Sequence, residues 1–546
     1  MQSVNFSKDC KLLKFKQYYL YDGVSLDLFI ISKRLYIYLS ILVAGKSKRV
    51  PCIIKNEFKH LCNEICEKRQ KRKINNTNSN IINKKNIILA ISNRCNMNCS
   101  YCFKNNEEQH NMNIRIAEDT ISYIMKNFKK NEIVCTYNIT SEPLLELKQL
   151  KEFIEFFKQF EYYSIEKEDL KNIGPCDFLR TVQQDSHLPV DEKITEEEAL
   201  LKLNQLLSWN GLICAIDKSE RARFTVDHLS KSTFCLIDYR QRRLNYAYLQ
   251  EIYKQEGYLR EKCLRYCSLW FMSNGSILNE DIIKIIKGNF MNPFTISLDG
   301  NEDQNVLRKF KNGGESYSIV LKNIKLLQEA GIDVKISCVM SLKNHDILSL
   351  VKFFQSLNVK QINLTVIRRG TDWSFDEKTI CSLLKDYDVL YDLFYRSILN
   401  WDFSFVSLFS SDHCLDPLRA LLTGSIVKYR CDLNNQLVVD FKGDLYPCTY
   451  LVGKDVFLLG NIYKSDECIT DKAISVDERK DCNDCWARYL CGGTCYYNSW
   501  KIKGSFENVD PVECVLRKYY VHKSIELYLR LIEAGLKYEQ IIKIFL

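Results

Sequence analysis

From residue 86 onwards, short apolar runs alternate with longer segments whose apolar residues recur at helical spacing. The short runs predict buried strands of a parallel sheet, and the longer segments predict amphipathic helices that cover it. The predicted strands are NIILAI, CTYNI, LWFMSNG, PFTISLDG, DVKISCVM and QINLTVI. The predicted helices are IAEDTISYIMKNF, LKQLKEFIEFFKQF, EDIIKIIKG, SIVLKNIKLLQEAG and DILSLVKFFQSL. Six strand–helix repeats predict an α/β protein with a partial (β/α)6 TIM-like barrel, in which chemistry is expected where strands end and loops begin.

The pattern differs before residue 80. The stretches KLLKFKQYYLYD and LFIISKRLYIYLSIL alternate in a strand-like way, and FKHLCNEICEKRQKRK predicts a helix. The Asn-rich stretch NNTNSNIINKK is typical of a linker. Residues 1–80 are therefore predicted to form a small separate α+β module. Its most hydrophobic stretch, residues 28–45, carries Lys33 and Arg34, which favours strands or a buried helix over a membrane span.

The barrel is assigned to residues 86–400, and its repeat is interrupted at about 162–267. That interruption is too long for a strand–helix loop, so it predicts an inserted subdomain to which no task can be assigned. Residues 410–515 are rich in cysteine and have few periodic elements, which predicts a second, metal-nucleated domain. Residues 516–546 predict a terminal amphipathic helix.

Composition narrows the class of protein. A chain of 546 residues suggests about three or four domains. Its 24 cysteines, in so long a chain, favour metal binding or catalysis in a reducing compartment over a disulfide scaffold. The first residues lack a signal-peptide pattern, so a cytoplasmic protein is expected, with no membrane partner.

The net charge of +9 is concentrated in residues 46–73, where ten Lys and Arg stand against three Glu. This stretch is either a solvated surface or a steering surface for an acidic partner, such as a peptide or nucleic acid. No nucleic-acid motif accompanies the charge, which makes nucleic acid the weaker choice of partner.

Residues 93–104 read NRCNMNCSYCFK and place Cys95, Cys99 and Cys102 in a C-x3-C-x2-C pattern directly after the first predicted barrel strand. Soft thiolates select zinc, copper(I) or iron–sulfur clusters. Zinc would need a distant fourth ligand. A cubane cluster held by three thiolates would instead present one iron to a small molecule.

This motif resembles the signature of the radical S-adenosylmethionine (SAM) enzymes. The resemblance includes Tyr101 before the third cysteine and the downstream segments FMSNGSILNEDI and FTISLDGNEDQN. It implies a [4Fe–4S] cluster on the three cysteines whose open iron chelates SAM. It also implies a reductant such as flavodoxin or ferredoxin, and a 5′-deoxyadenosyl radical that removes hydrogen from a substrate.

The same resemblance implies roles for residues at the ends of later strands. Glu142 would accept a hydrogen bond from the SAM ammonium, Ser273 and Asn274 would lie near its ribose or carboxylate, and Asp299 would lie near the substrate. The family's Gly-Gly-Glu-Pro reads Thr-Ser-Glu-Pro here, so Thr140 and Ser141 replace two glycines that permit close backbone approach. Simple turn chemistry is the alternative explanation for the Ser-Asn-Gly and Asp-Gly sequences.

The later cysteines resemble the SPASM extension of radical SAM enzymes that modify peptides and proteins, which carries two auxiliary [4Fe–4S] clusters. By position, the distal cluster would be held by Cys482, Cys485, Cys491 and Cys514. The proximal cluster would be held by Cys431, Cys448 and Cys495, with either Cys414 or an open position as the fourth ligand. Paired C-x2-C ligands also suit a zinc ribbon.

Together these resemblances imply a radical SAM/SPASM maturase that acts on a ribosomally made, cysteine-containing precursor peptide and forms a thioether or another side-chain crosslink. The N-terminal segment is similar to small leader-associated modules of such maturases, and an ordinary α+β cap is the alternative. The rival enzyme is the anaerobic sulfatase-maturing type, in which an aspartate base stands where this chain has Thr449. A third interpretation is a cluster protein that binds a peptide without turnover, suggested by Thr140 and Ser141. No catalytic side chain is assigned.

Overall fold

The structure is a computed structural model of the chain. It describes residues 4–46, 49–78, 85–103, 109–127, 133–135, 138–139, 141–158, 222–227, 232–238, 243–244, 265–266, 270–289, 293–431, 433, 436–464 and 474–546.

The described strands are β1 Cys10–Lys14, β2 Tyr18–Asp22, β3 Asp27–Ile31, β4 Lys85–Leu89, β5 Ile133–Cys135, β6 Asn138–Ile139, β7 Ala222–Asp227, β8 Ser232–Asp238, β9 Arg243–Leu244, β10 Arg265–Tyr266, β11 Trp270–Ser273, β12 Phe294–Ser297, β13 Val334–Met340, β14 Gln361–Val366, β15 Gln436–Val439, β16 Asp444–Tyr446 and β17 Gly460–Asn461.

The described helices are α1 Phe6–Asp9, α2 Lys33–Val43, α3 Lys55–Asn78, α4 Ile114–Asn127, α5 Leu147–Lys158, α6 Glu280–Asn289, α7 Tyr317–Glu329, α8 Ile347–Ser356, α9 Ile380–Leu399, α10 Ser404–Leu408, α11 Asp416–Thr423, α12 Arg488–Cys491, α13 Tyr496–Lys503, α14 Pro511–Glu533 and α15 Tyr538–Phe545.

The predicted partial (β/α)6 barrel is confirmed. Strands β6, β11, β12, β13 and β14 pair in parallel in chain order, and β4 pairs in parallel with β5. These strands form two sheets, one containing β4 and β5 and the other containing β6 and β11 to β14. Strands β5 and β6 are consecutive in the chain, so this stretch connects the two sheets. Every strand and helix that the hydrophobic pattern predicted for this region has a counterpart within a few residues of its predicted bounds.

The barrel forms because its strands and helices bury matching faces. Alternate residues of β13 are buried, and the strand packs into one hydrophobic core with α7, α8 and α9. Helix α7 ends as predicted at Gly331, whose φ of +76° is the left-handed conformation that glycine adopts at helix ends. This framework places the ends of β4, β6, β11 and β12 at the same edge of the barrel.

The N-terminal residues form an antiparallel sheet, β1–β2–β3, that is covered by α2 and α3. The strand prediction for KRLYIYLSIL is wrong, since Lys33–Val43 is a helix. Its aromatic and β-branched residues look strand-like, but Leu35, Tyr38 and Leu39 are buried at helical spacing, and the Ser32 hydroxyl caps the helix by accepting from the Leu35 amide at 3.1 Å. Tertiary packing of one face decides the structure of this segment.

The N-terminal module does not stand apart from the rest of the chain. Its residues Leu13, Tyr19 and Tyr21 share a hydrophobic cluster with Ile525 and Leu529 of α14. The sheet therefore uses one face for its own helices and the other for the C-terminal region.

The cysteine-rich region continues the barrel sheet. Strand β15 pairs in parallel with β4, and β16 and β17 follow it in antiparallel order. The β15–β16 turn contains Gly443 at φ +80°, where a side chain would collide with Ile462 at 2.7 Å.

The prediction of one amphipathic helix over residues 516–546 is wrong. Helix α14 begins earlier, at Pro511, after Asp510 caps it by accepting from the Val512 amide, and it ends at Glu533 before α15. Its buried residues lie on all sides rather than along one stripe, because the barrel, the N-terminal module and the cysteine-rich region all pack on it.

The predicted insertion lies mostly outside the described residues. Its described part is the antiparallel sheet β7–β8–β9 and, at its end, β10, which pairs in parallel with β5 of the barrel. Across the described ranges, the structure shows no helix with the length and apolar character needed to span a bilayer.

Candidate metal centre and cofactor pocket

The loop that carries Cys95, Cys99 and Cys102 follows β4 and is fixed by backbone hydrogen bonds to the loop after β12. The Asn98 amide donates to the Lys309 carbonyl at 2.8 Å, and the Ser100 amide donates to the Leu307 carbonyl at 3.0 Å. Within the loop, the Cys102 amide donates to the Cys99 carbonyl at 2.9 Å. Since two barrel loops bond to each other here, the three thiols sit on a braced segment.

The three thiols influence each other electrostatically. The pKa of Cys99 is raised to about 11, chiefly by burial and also by the charges of Asp299, Cys102 and Cys95, while Arg308 opposes the rise. Three adjacent thiolates therefore need additional positive charge to form together. A metal centre supplies such charge, because a coordinating thiol is deprotonated outright.

Arg308 is a residue that sequence reasoning missed. It is 6% exposed, its Nη1 donates to the Tyr101 hydroxyl at 2.8 Å, and its Nη2 lies 4.0 Å from the Met97 sulfur. Within the described residues its Nε has no hydrogen-bond partner. The available sequence signal was a basic residue in the loop after β12, nine positions beyond Asp299. Arg308 places a buried positive charge behind the cysteine loop.

Asp299 is buried and hydrogen-bonded rather than open to a substrate. Its Oδ2 accepts from the Tyr101 hydroxyl at 2.6 Å, and its Oδ1 accepts from the Val339 amide at 2.9 Å. Burial raises its pKa, and Arg308 and the hydrogen bond from Tyr101 lower it. The structure thus places Asp299 with Tyr101 and Arg308 as a support for the cysteine loop.

Glu142, Ser273 and Asn274 come together as a buried cluster. The Glu142 carboxylate accepts from the Ser273 hydroxyl at 3.0 and 3.1 Å, from the Asn274 amide at 2.6 Å and from the Leu144 amide at 3.4 Å. Burial raises the pKa of Glu142 to about 7, although these hydrogen bonds oppose the rise. The ends of β6 and β11 are therefore joined through one carboxylate.

Asn274 links this cluster to the cysteine loop. Its Nδ2 donates to Asn96 Oδ1 at 2.8 Å and lies 3.7 Å from the Cys95 sulfur. Asn96 in turn donates to the Ser276 hydroxyl at 2.9 Å. Three of the four cofactor residues predicted from the sequence, Glu142, Ser273 and Asn274, thus surround one side of the cysteine loop, while Asp299 supports it through Tyr101. Thr140 lies outside the described residues.

The later cysteines interact electrostatically within each of the two groups that the resemblance implies. In the first group, the pKa of Cys431 is raised to about 12 by burial and by Cys448 and Cys495. In the second group, the pKa of Cys482 is raised to about 12 by burial and then by Cys491, Cys514 and Cys485. Each group is thus a set of thiols within electrostatic reach of one another.

Cys414 is not brought together with the first group. It is fully buried in the barrel core, its amide donates to Asp412 at 2.8 Å, and its carbonyl accepts from the Tyr391 hydroxyl at 2.5 Å. Cys448 and Cys495 pack in a different hydrophobic cluster. The first group is therefore a trio in this structure. Burial raises the pKa of Cys448 to about 11, and a hydrogen bond with the Thr449 side chain opposes this rise.

The donor set consists of cysteine thiols, whose chemistry fits an iron–sulfur cluster. Among the described residues, no three Cys, His, Asp or Glu side chains are arranged to hold one metal ion. A cubane distributes its thiolate ligands over different iron atoms, so grouped but separated thiols suit it.

One part of the chain matches a known family. Residues 249–354 match the family model described as the Radical SAM superfamily. The chain carries a radical SAM domain. The matched part covers β10 to most of α8, downstream of the cysteine loop. Radical SAM chemistry implies a [4Fe–4S] cluster and SAM, and the chain is accordingly an enzyme of this type.

Relatives cover different parts of the chain. The sequence is 27% identical over 128 residues to an uncharacterized protein, MJ0907, of Methanocaldococcus jannaschii; this match covers 23% of the chain and 39% of the relative's length. It is 25% identical over 274 residues to a cysteine-type anaerobic sulfatase-maturating enzyme of Clostridium novyi, covering 46% of the chain and 70% of that enzyme.

A solved structure of polyhistidine-tagged anSMEcpe with bound AdoMet matches with a TM-score of 0.51 at 15% sequence identity, covering 84% of this chain and 98% of the other. At this identity the match shows a shared fold.

Proposed function

We propose that this radical SAM enzyme modifies a ribosomally synthesised, cysteine-containing peptide and forms a thioether or another side-chain crosslink. Cys95, Cys99 and Cys102 would hold the cluster that binds SAM. When bound, the cluster and SAM supply a 5′-deoxyadenosyl radical that removes a hydrogen atom from the substrate. The observation that carries the proposal is the connection of the three-thiol loop to the buried Glu142 cluster through Asn274.

Glu142 has capacity to bind the ammonium of SAM. A carboxylate offers about four acceptor positions. Donors from Ser273, Asn274 and Leu144 use three of them. The remaining position would accept from an ammonium that reaches this buried carboxylate, and the three existing bonds hold the carboxylate in place. The replacement of two family glycines by Thr140 and Ser141 therefore leaves the acceptor itself intact.

The cysteine-rich region would hold two auxiliary clusters. Cys482, Cys485, Cys491 and Cys514 supply four thiols for the distal one. Cys431, Cys448 and Cys495 supply three for the proximal one, which leaves a position for a substrate thiolate, the form in which a cysteine binds metal. This open position, rather than Cys414, supports a thioether product.

The N-terminal module would recognise a leader segment of the precursor. Within the described residues β3 pairs only with β2, and Ile30 on this edge strand is 69% exposed. An exposed strand edge can accept an additional strand. The nearby basic residues of α3 would favour an acidic leader. We assign residues 1–80 to this module, residues 86–400 to the barrel and residues 410–515 to the cluster domain. The proposed reductant is a flavodoxin or a ferredoxin.

The second candidate is formylglycine formation on a sulfatase. The similarity to a cysteine-type anaerobic sulfatase-maturating enzyme favours it. Thr449 disfavours it, because a hydroxyl beside Cys448 is a far weaker base than a carboxylate.

The test uses the full chain reconstituted with iron and sulfide without air, then incubated with SAM and dithionite. Production of 5′-deoxyadenosine supports radical SAM chemistry, and its absence supports a peptide-binding cluster protein. A cysteine-containing sulfatase peptide and a short Cys-rich peptide encoded beside the gene are then compared by mass spectrometry. A loss of two hydrogens that resists thiol alkylation supports the crosslink, whereas formylglycine in the sulfatase peptide supports the second candidate.

A further inference from the structure

A small cavity lies between β14, α14 and the cysteine-rich region, outside the cofactor pocket. Its volume is about 50 Å³. One water fills roughly 10–15 Å³ by the same measure, so the cavity has room for a few waters or one small polar group. Its polar wall contains four arginines and two carboxylates, which are Arg368, Arg369, Arg430, Arg517, Asp510 and Glu513.

The arginines of this wall are incompletely paired. Arg517 is 3% exposed, and its Nη2 donates to the Cys491 carbonyl at 3.0 Å. Its Nε and Nη1 have no hydrogen-bond partner in the described part of the chain, and the same holds for Arg368 Nε. Unpaired charged donors that are buried are costly, and proteins rarely leave them without a ligand, ion or water.

The two carboxylates of the wall do not neutralise these donors. Glu513 Oε2 accepts from the Cys495 amide and from Asn498 Nδ2, both at 3.0 Å, and its Oε1 lies 3.8 Å from Arg430 Nε. Asp510 Oδ2 lies 3.4 Å from Arg369 Nε. Asp416 lies outside the lining but interacts electrostatically with Arg430 and Arg517. Four guanidinium groups against these three carboxylates leave the cavity with an excess of positive charge.

The lining also contains apolar side chains, including Leu364, Phe375 and Leu516. A ligand that satisfies both kinds of lining combines an anionic head with a short hydrocarbon stem. Guanidinium forks match carboxylates in geometry, and the volume limits the head to a group of that size. We propose that this cavity binds a carboxylate with a short apolar stem, from either a free small acid or an acidic side chain of a peptide.

This proposal does not depend on the proposed peptide modification, because binding is measured without turnover. The probe is propionate, titrated calorimetrically into the reconstituted full chain at constant ionic strength. We expect saturable binding that weakens at least tenfold in Arg517→Gln. The matched control is Arg530→Gln on the same helix, whose guanidinium pairs with Asp392 at 2.8 Å away from the cavity; it should bind propionate like the unaltered chain.

Arg369→Gln is a second test variant in case Arg517→Gln does not fold, and it should also weaken binding. Formate, which lacks the stem, should bind more weakly than propionate. Displacement of propionate by the blocked peptide Ala-Ala-Glu-Ala-Ala, but not by its Gln analogue, identifies a peptide side chain as the source, and lack of displacement identifies a free acid. The absence of saturable propionate binding would overturn the proposal, as would equal affinities in the cavity variants and in Arg530→Gln.

Discussion

The two cysteine-bearing regions are built in different ways. The barrel trio lies on a loop after β4 that is bonded to a second barrel loop and backed by the buried Arg308. Six of the seven later thiols lie on short helices and turns, and Cys514 lies on α14, which the N-terminal module also contacts. A regular sheet thus supports the barrel trio. The position of the later thiols depends on long-range packing and on the metal group that we propose they bind.

The largest expected effect comes from removing one cysteine from the barrel trio or one from the later group, and comparing the iron content and activity of the two variants. Cys99→Ser should abolish 5′-deoxyadenosine formation, because one proposed ligand of the SAM-binding cluster is lost. It should also lower the iron content by about one cluster. Cys514→Ser should lower iron by a similar amount yet leave some 5′-deoxyadenosine formation, since the barrel site remains. Iron, sulfide and nucleoside assays on the purified variants check this.

Cys381→Ser is the matched control for these variants. Cys381 is exposed on α9, away from both groups. The iron content and activity of the Cys381→Ser variant should therefore match those of the unaltered chain. An equal loss of activity in Cys99→Ser and Cys381→Ser would contradict the assignment of the barrel trio.

The second effect concerns the support of the barrel site. Arg308→Met leaves the Tyr101 and Asp299 pair without its buried positive charge, and removal of one member of such a network costs about 3 kcal/mol of unfolding free energy. Anaerobic urea unfolding measures this loss. The neighbouring Lys309→Met removes an exposed ion pair with Glu315 and should cost below about 1 kcal/mol. Similar losses in the two variants would show that Arg308 does not stabilise the cysteine loop.

The third effect is a pH dependence of SAM binding. Because the pKa of Glu142 is raised to about 7 in the fold, the carboxyl is largely protonated at pH 6 and ionised at pH 8. The ionised form accepts from the SAM ammonium, so SAM should bind about tenfold more weakly at pH 6 than at pH 8. Equilibrium dialysis with labelled SAM measures this ratio.

The same raised pKa has an opposite consequence for stability. Between the ordinary pKa of 4.5 and the folded-state pKa of about 7, the Glu142 carboxyl is protonated in the folded state and ionised in the unfolded state. Its contribution to the free energy of unfolding is therefore present at low pH and is lost as the pH rises through 7. Glu142→Gln should flatten both pH dependences, and a SAM affinity that retains its pH dependence in that variant would exclude Glu142 as the cause.

The smallest effect tests the bracing of the C-terminal region by the N-terminal module. The Tyr19 hydroxyl donates to Glu533 Oε1 at 2.8 Å at the end of α14. Tyr19→Phe should cost about 1 kcal/mol of unfolding free energy. Iron release on mild heating should then begin earlier at the C-terminal sites than at the barrel site. Unchanged release from both sites would show that the module does not brace this region.

The barrel was predictable from the sequence because its strands and helices repeat a local period, and its cysteine loop follows the first strand. The cluster of Glu142, Ser273 and Asn274 followed from their positions at strand ends. Arg308 was not predictable, since its role depends on a loop folding back beneath another loop. The sequence left strands and a buried helix open for residues 28–45, because the strand-like residues of Lys33–Val43 are buried at helical spacing. Three separate regions of the chain pack on α14, and the local sequence of the helix does not predict these contacts.

The central claim is that the three thiols after β4 hold a cluster with a corner open to SAM. Electron paramagnetic resonance of the dithionite-reduced protein, recorded with and without SAM, tests it most directly. The account predicts a reduced-cluster signal that changes when SAM is added, persists in Cys514→Ser and is lost when Cys95, Cys99 and Cys102 are all replaced by serine. A SAM-responsive signal that survives the triple replacement would contradict the account.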